Sequence, residues 1–412
     1  MKKLLKHCIL LTGIICLLSG CSGTDGTSDA SEGNGQSTDT AAVNTQTASD
    51  LDVSPEDYEG KDYHFDTDYQ SFFFMPNIAK GEAGYYYWEE NDERLYYYDT
   101  ATAQSVVLCN KADCTHDDDT CNAYFNAAKK ENQDVFCKTY IQYYDGAVYV
   151  TGYDPKGNVN LYRVAADGSS CDKYMCLFKQ NMMSPYGNSQ IIDFTYPEVC
   201  IHRGYVYFIN NMETTPKIYR MKMGSETSEV IYENTGLRPA VYRIKPYGDQ
   251  IYFQAGNFED DTYIDIEGGV YAYDPDTEKV SLYKESAISP YLFYKDDLYY
   301  SASDGIYHYD KEEEQDEKVL DTEKNNADFM MINDQIVVYL DEDSNMFVCD
   351  LETDSTHTID GDGITACLFG DGHFMFAEGY KEGDASGLYA IKFSDLLRAS
   401  EWTNITDMSN GN

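Results

Sequence analysis

An all-β fold, a β-propeller of seven four-stranded blades, is the fold class this sequence predicts. Three observations lead to it. A phrase made of a Gly, Asp or Asn turn, an aromatic β run, a polar loop and a second β run recurs seven times. Each unit carries a short apolar run ahead of it and a shorter one behind. Tyr outnumbers the other aromatics, at 39 against 18 Phe and 2 Trp, and Tyr suits strands with one buried and one wet face.

The units open at Gly84, Asp145, Arg203, Gly248, Asp296, Asn333 and Asp371. The first reads GYYYWEENDERLYYYDTATAQSVVL and the fifth DDLYYSASDGIYHYDKEEEQDEKVL. Leading runs are SFFFM (71–75), PEVCI (197–201), YLFY (291–294), DFMMI (328–332) and TACLF (365–369). Ile218–Lys222 and Val270–Tyr273 alternate with period 2, as half-buried strands do. Units recur at about 60 residues early and about 40 later, and four-stranded units at roughly 40–50 residues are propeller blades. A β-sandwich or two smaller β domains would not need seven in-phase repeats. Asp99, Asp167, Asp274, Asp310 and Asp350 each follow a third run. There a carboxylate can cap its own turn by accepting a backbone N–H two residues on.

The recurring phrase, as in Leu161-Tyr162-Arg163 and Ile306-Tyr307-His308-Tyr309-Asp310, resembles propellers of the YWTD and TolB-like type over most of residues 71–406. It is degenerate, so the resemblance implies an architecture and no ligand.

The N-terminus places the chain. Lys2, Lys3 and Lys6 precede a short apolar run, Ile9–Leu18. That run is shorter than the ~20 residues a spanning helix needs and fits a secretory leader over 1–20. It ends Leu18-Ser19-Gly20-Cys21, which resembles the lipobox of bacterial lipoproteins. The resemblance implies that Cys21 is lipidated with diacylglyceryl and palmitate-type chains and becomes the mature N-terminus. Two chains suffice for stable anchoring, at about 0.8 kcal/mol per buried CH₂. Residues 21–57 are Ser, Thr, Gly, Asp and Asn with almost no bulky apolar side chain, a composition that reads as a flexible tether. Residues 58–412 then form the propeller domain, with a Cys-rich insertion at 108–134. The assembly as a whole resembles surface lipoproteins of anaerobic Gram-positive bacteria, a likeness that implies no particular activity.

Lys and Arg total 30 against 72 Asp and Glu. Without the leader's three Lys the balance is 27 against 72, or −45. Such a charge repels phosphate backbones, so nucleic acid is not an expected partner.

Twelve Cys are present. Cys200, Cys349 and Cys367 lie within strand patterns and read as buried small hydrophobes. Cys171 and Cys176 read as flanking a turn in the second blade. The insertion LCNKADCTHDDDTCNAYF (108–125) gathers Cys109, Cys114, His116 and Cys121. These four are the right donors for a closed, structural zinc site. The spacing departs from C-x₂-C pairs, and an exported location favours disulfides, with Cys137 as a fourth partner. Zinc, a disulfide staple and unpaired thiols all remain open from sequence. A catalytic Cys is the weakest reading, because His116 is too close in the chain to orient as its base and no Asn or Asp partner can be placed.

No cofactor is required by any motif. Asp341-Glu-Asp343-Ser-Asn345 with Glu352 approaches a calcium register, but Met346 stands where that loop needs Gly. A hairpin loop is expected there and calcium is not. Acidic loops at 257–261 and 360–363 are of the same kind. Metalloprotease, nucleophile-elbow, phosphate-loop and dinucleotide motifs are absent from the sequence. The expected function is a monomeric, membrane-anchored, extracytoplasmic binding or scaffold module, recognising a protein, peptide or glycan at one propeller face. The alternative is a propeller glycoside hydrolase or lyase using channel carboxylates.

Overall fold

Seven antiparallel four-stranded sheets, each built from four consecutive strands, make up the fold. The structure is a computed structural model. It describes residues 77–406 apart from 90–91, 126–140, 180–197, 211–214, 259–265, 286–290, 303, 323–327, 342–344, 359–363, 372, 380–386 and 399–401. The leader, Cys21, the tether, the run at 71–75 and Cys137 lie outside the described residues, as does the Cys367 side chain.

Blade 1 is β1 (Ile78–Lys80), β2 (Gly84–Glu89), β3 (Arg94–Asp99) and β4 (Gln104–Val107). Blade 2 is β5 (Ile141–Tyr144), β6 (Ala147–Tyr153), β7 (Val159–Ala165) and β8 (Cys171–Phe178). Blade 3 is β9 (Val199–His202), β10 (Tyr205–Asn210), β11 (Lys217–Lys222) and β12 (Ser228–Glu233). Blade 4 is β13 (Pro239–Tyr247), β14 (Gln250–Phe258), β15 (Ile266–Asp274) and β16 (Lys279–Glu285). Blade 5 is β17 (Tyr291–Tyr294), β18 (Asp297–Ala302), β19 (Gly305–Asp310) and β20 (Gln315–Asp321). Blade 6 is β21 (Asp328–Ile332), β22 (Ile336–Leu340), β23 (Met346–Asp350) and β24 (Ser355–Thr358). Blade 7 is β25 (Ile364–Gly370), β26 (Phe374–Gly379), β27 (Gly387–Lys392) and β28 (Thr403–Asn404).

Burial grades along each blade. First strands such as β5 and β9 are buried at every residue, and neighbouring first strands touch around the axis (β1 with β5, β5 with β9, β9 with β13). Fourth strands such as β12, β20 and β24 are mostly exposed. Their free edges carry charge, as in Gln-Asp-Glu-Lys along β20, which discourages pairing with another chain. The core sits between blades, where hydrophobic clusters fill the seams. The seam from blade 7 to blade 1 is the one that closes the ring. There Ile78, Tyr85 and Tyr87 pack on Phe376, Leu388, Ala390 and Ile405. Tyr87 Oη donates to the Ile405 carbonyl at 3.0 Å, and Tyr85 Oη to Asp371 Oδ2 at 2.6 Å. Lys80 Nζ lies 3.0 Å from the same Asp371 oxygen. Among the described residues no strand is exchanged between blades 1 and 7, and side chains seal the circle there.

The five Asp residues singled out from sequence cap their turns as expected. The Oδ1 atoms of Asp99, Asp167, Asp274, Asp310 and Asp350 accept the N–H two residues on, at 2.8–2.9 Å. Each turn ends on a left-handed residue: Ala103, Gly168, Glu278, Glu314 or Asp354. Asp274 also holds Thr277 Oγ1 at 2.9 Å, and its carboxyl lies below its ordinary value because these donors outweigh the opposing effect of burial. Asp274→Ala is expected to cost about 1 kcal/mol, the net worth of such bonds. A urea midpoint unchanged from wild type would show that the cap is ornamental.

Two expectations are corrected. Blade 1's leading strand is β1 at Ile78–Lys80, paired Ile78↔Tyr87, and not the run at 71–75. Gly81 gives a tight return to β2, its N–H bonded to the Gly84 carbonyl at 2.7 Å. The longer apolar run concealed that signal. Cys171 and Cys176 do not flank a turn; both lie on β8, opposite Val164 and Asn160. Five residue steps along a strand span about 16 Å, beyond the ~7 Å Cα separation a disulfide tolerates.

Candidate metal centre and channel lining

The cysteine loop is an excursion from the outer edge of blade 1. Strand β4 pairs along β3 as far as Leu108, whose N–H donates to the Leu95 carbonyl at 2.9 Å. The chain then leaves for residues 109–122 and returns to the same edge. There Leu95 N–H donates to the Ala123 carbonyl at 2.8 Å, and Phe125 N–H to the Glu93 carbonyl at 2.7 Å. One residue, Leu95, thus pins both feet of the loop. Ala123 and Phe125 are buried and join the seam between blades 1 and 2. The loop also reaches blade 2: Asn110 N–H and Asn122 Nδ2 both donate to the Gly168 carbonyl, at 3.2 and 2.9 Å. Gly168 has φ +73°, and a Cβ there would meet the Leu108–Cys109 backbone at 2.8 Å, so only glycine allows this approach.

Within the excursion, one donor atom from each of Cys109, Cys114, His116 and Cys121 lies within 4.8 Å of the other three. His116 Nδ1 is 3.4 Å from Cys121 Sγ. The three cysteines are free thiols. His116 adopts a left-handed φ of 60°, uncommon for a residue with a Cβ, and its carbonyl accepts Arg94 Nε. Burial opposes ionisation of Cys109, but the backbone N–H groups of Lys111 and Asn122 and the neighbouring thiols hold it below its ordinary value. Burial pushes the Cys121 thiol up to about 12, against the Ala123 N–H that its sulfur accepts at 3.4 Å.

A second polar cluster sits between the innermost strands of blades 3, 4 and 5. Strand β13 carries a bulge, two residues opposing one between Tyr242↔Gln254 and Lys245↔Tyr252, with Arg243 at φ 55°. The bulge takes the Ile244 N–H out of the ladder, and Glu198 Oε2 accepts it at 3.1 Å. Tyr291 Oη donates to the Arg243 carbonyl at 2.7 Å, and Lys245 Nζ to the Tyr291 carbonyl at 3.1 Å. Arg243 Nη1 reaches Gln254 Oε1 at 3.2 Å. Glu198 is 4% exposed. Burial pushes its carboxyl up, although the Ile244 N–H and the Arg243 and Lys245 charges act the other way. Burial and the Arg243 charge push the Lys245 ammonium down. Nearby, burial and then the Arg203 charge push the buried His202 down to about 3, so it is neutral.

The sequence named all four loop donors, and the structure gathers them. Cys200 and Cys349 are buried as expected. At the acidic loop, Asn345 N–H and Nδ2 bond Asp341, closing a hairpin between β22 and β23. Glu198, Arg243, Lys245 and His202 were not singled out from sequence. The available signal was a pair of cations at alternating positions, Arg243 and Lys245, in the otherwise apolar leading run PAVYRIKPY. Among the described residues the cluster holds one carboxyl group, Glu198.

No family's sequence model and no curated protein matches the chain. Among solved structures, a prolyl endopeptidase is similar at 12% identity and TM-score 0.52, covering 81% of this chain and 50% of its own. A puromycin hydrolase S511A variant complexed with PGG is similar at 10% identity and TM-score 0.52, covering 80% and 53%. TolB from Acinetobacter baumannii matches at 13% identity and TM-score 0.39, covering 77% and 76%. The chain spans about half the length of the first two structures. At these identities the likeness is one of fold, and the chain is a seven-bladed all-β propeller.

Proposed function

We propose that this chain is an extracytoplasmic binding module, anchored to the bacterial membrane through lipidated Cys21, whose propeller recognises a protein, peptide or glycan at the channel mouth. The observation that carries the reading is the bulge-built cluster of Glu198, Arg243 and Lys245 on the innermost strands. A bulge re-aims side chains, and bulges concentrate beside functional sites. A guanidinium, a lysine amine and one carboxyl group on neighbouring inner strands give a hydrogen-bonding patch in a chain of formal charge −42. Such a patch fits a ligand bearing hydroxyl or carboxylate groups. The lipobox and the polar tether support display outside the cell.

Purified full chain in detergent, passed over immobilised glycans and peptides, is expected to retain a defined set of them. Arg243→Gln, with the fold checked by its melting curve, is expected to weaken retention at least tenfold. Equal retention by the folded variant would remove the channel from the reading. Shortened glycan products found by mass spectrometry after incubation would favour the hydrolase or lyase alternative. For location, Cys21→Ala is expected to appear in the medium or to remain unprocessed. A processed variant fully retained in the membrane would refute the anchor.

A further inference from the structure

We propose that Cys109, Cys114, His116 and Cys121 bind one zinc ion as a closed structural site, clasping the 109–122 excursion onto the seam between blades 1 and 2. The proposal stands independently of whatever ligand the channel takes. Donor geometry is the first argument. Tetrahedral zinc with Zn–S near 2.3 Å sets its sulfurs about 3.7 Å apart. The four donor atoms already lie within 4.8 Å of one another, so a shift of about an ångström completes the shell. Three sulfurs and one imidazole nitrogen form a set typical of structural zinc. A disulfide within this set would consume two of its three sulfurs and leave His116 without a role.

A backbone donor already faces the set: the Ala123 N–H donates to Cys121 Sγ at 3.4 Å. Such donors orient metal ligands and offset their charge. The left-handed turn at His116 sets the ring beside Cys121, and Arg94 holds that turn through the His116 carbonyl. Zn²⁺ displaces three thiol protons and leaves the site at −1, with imidazole neutral. No electron is transferred, so no oxidant is needed. All four ligands come from the protein, which leaves no open position for substrate and makes the ion a fastener.

The position explains what the fastener does. The excursion is polar, and its feet meet at Leu95. Cys109 and Cys121 lie at those feet, while Cys114 and His116 lie near its middle. Drawing the four donors to one ion folds the loop back on its own base and fixes Asn110 and Asn122 against Gly168 of blade 2.

The full chain, purified without a polyhistidine tag under anaerobic conditions, is expected to carry one zinc per molecule by elemental analysis. Replacing zinc by Co²⁺ is expected to give thiolate charge-transfer absorption and the visible bands of a tetrahedral site. Cys114→Ser and Cys121→Ser are expected to lower bound zinc at least tenfold, while Cys171→Ser retains it. Should the loop variants fail to fold, the wild-type chain decides. Removing zinc with chelator is expected to speed proteolysis within 109–122 at least tenfold, with the blades intact and protection restored by added zinc. Three outcomes would overturn the proposal. One is a chain without metal whose three thiols alkylate freely. Another is a mass deficit of two hydrogens locating a disulfide among them. The third is iron bound in place of zinc.

Discussion

Tyr87→Ala is expected to destabilise the propeller by about 3–5 kcal/mol, the range for removing a large buried aromatic side chain. Tyr87 is 0% exposed and packs at the seam that closes the ring. Its hydroxyl bonds the Ile405 carbonyl of blade 7, and burial holds the phenol well above its ordinary value. The change removes packing and leaves a carbonyl unmatched inside the seam that closes the ring. Tyr87→Phe keeps the ring and is expected to cost only about 1–2 kcal/mol, the penalty for one lost buried bond. Urea unfolding of the two variants beside wild type measures both numbers. If Tyr87→Ala stays within about 1 kcal/mol of wild type, packing at this seam does not hold the circle closed.

Acid is expected to destabilise the wild-type chain more steeply than His202→Gln. His202 is 1% exposed, and burial holds its folded-state value near 3, below the 6.5 of an unfolded histidine. Between those values the unfolded chain takes up a proton that the folded chain refuses. Stability therefore falls as pH drops from about 6.5 toward 3, by up to about 3–5 kcal/mol at the acid end. Glu198 works in the opposite sense, because burial raises its folded value above the unfolded one. Its contribution is fully present at low pH and fades as pH rises through the folded value. Comparing His202→Gln with wild type cancels the Glu198 contribution. Parallel pH profiles for the two proteins would mean that the imidazole is not kept neutral by burial.

Much of the fold was legible because each blade repeats the same local chemistry. Asp274 and Asp310 stand where a carboxylate caps its own turn, and the leading runs YLFY and DFMMI coincide with β17 and β21. Blade 1's first strand was not legible. A three-residue strand, Ile-Ala-Lys, has too little periodicity to compete with the aromatic run before it. The cysteine loop was legible as a set of donors, since C-x₄-C-x-H-x₄-C is a local pattern. That all four converge depends on the pinning of both loop feet at Leu95, which is tertiary. The channel cluster was hidden for a different reason. In a chain with 72 carboxylates, Glu198 has no local mark, and the β13 bulge that gives it a donor follows from how blades 3 and 4 meet.

The side-chain seam between blades 1 and 7 has a consequence in time. Tyr87 and Ile405 are separated by 318 residues, and Tyr85 and Asp371 by 286. A chain made from its N-terminus delivers blade 1 first and blade 7 last. Through that interval the aromatic face formed by Tyr85, Tyr87, Tyr96 and Tyr98 has no partner to cover it. Long-range closure of this kind is slow, and uncovered apolar surface is prone to aggregate. The first blade is therefore the part of the emerging protein most in need of a chaperone, and it needs one until the final strands of blade 7 arrive.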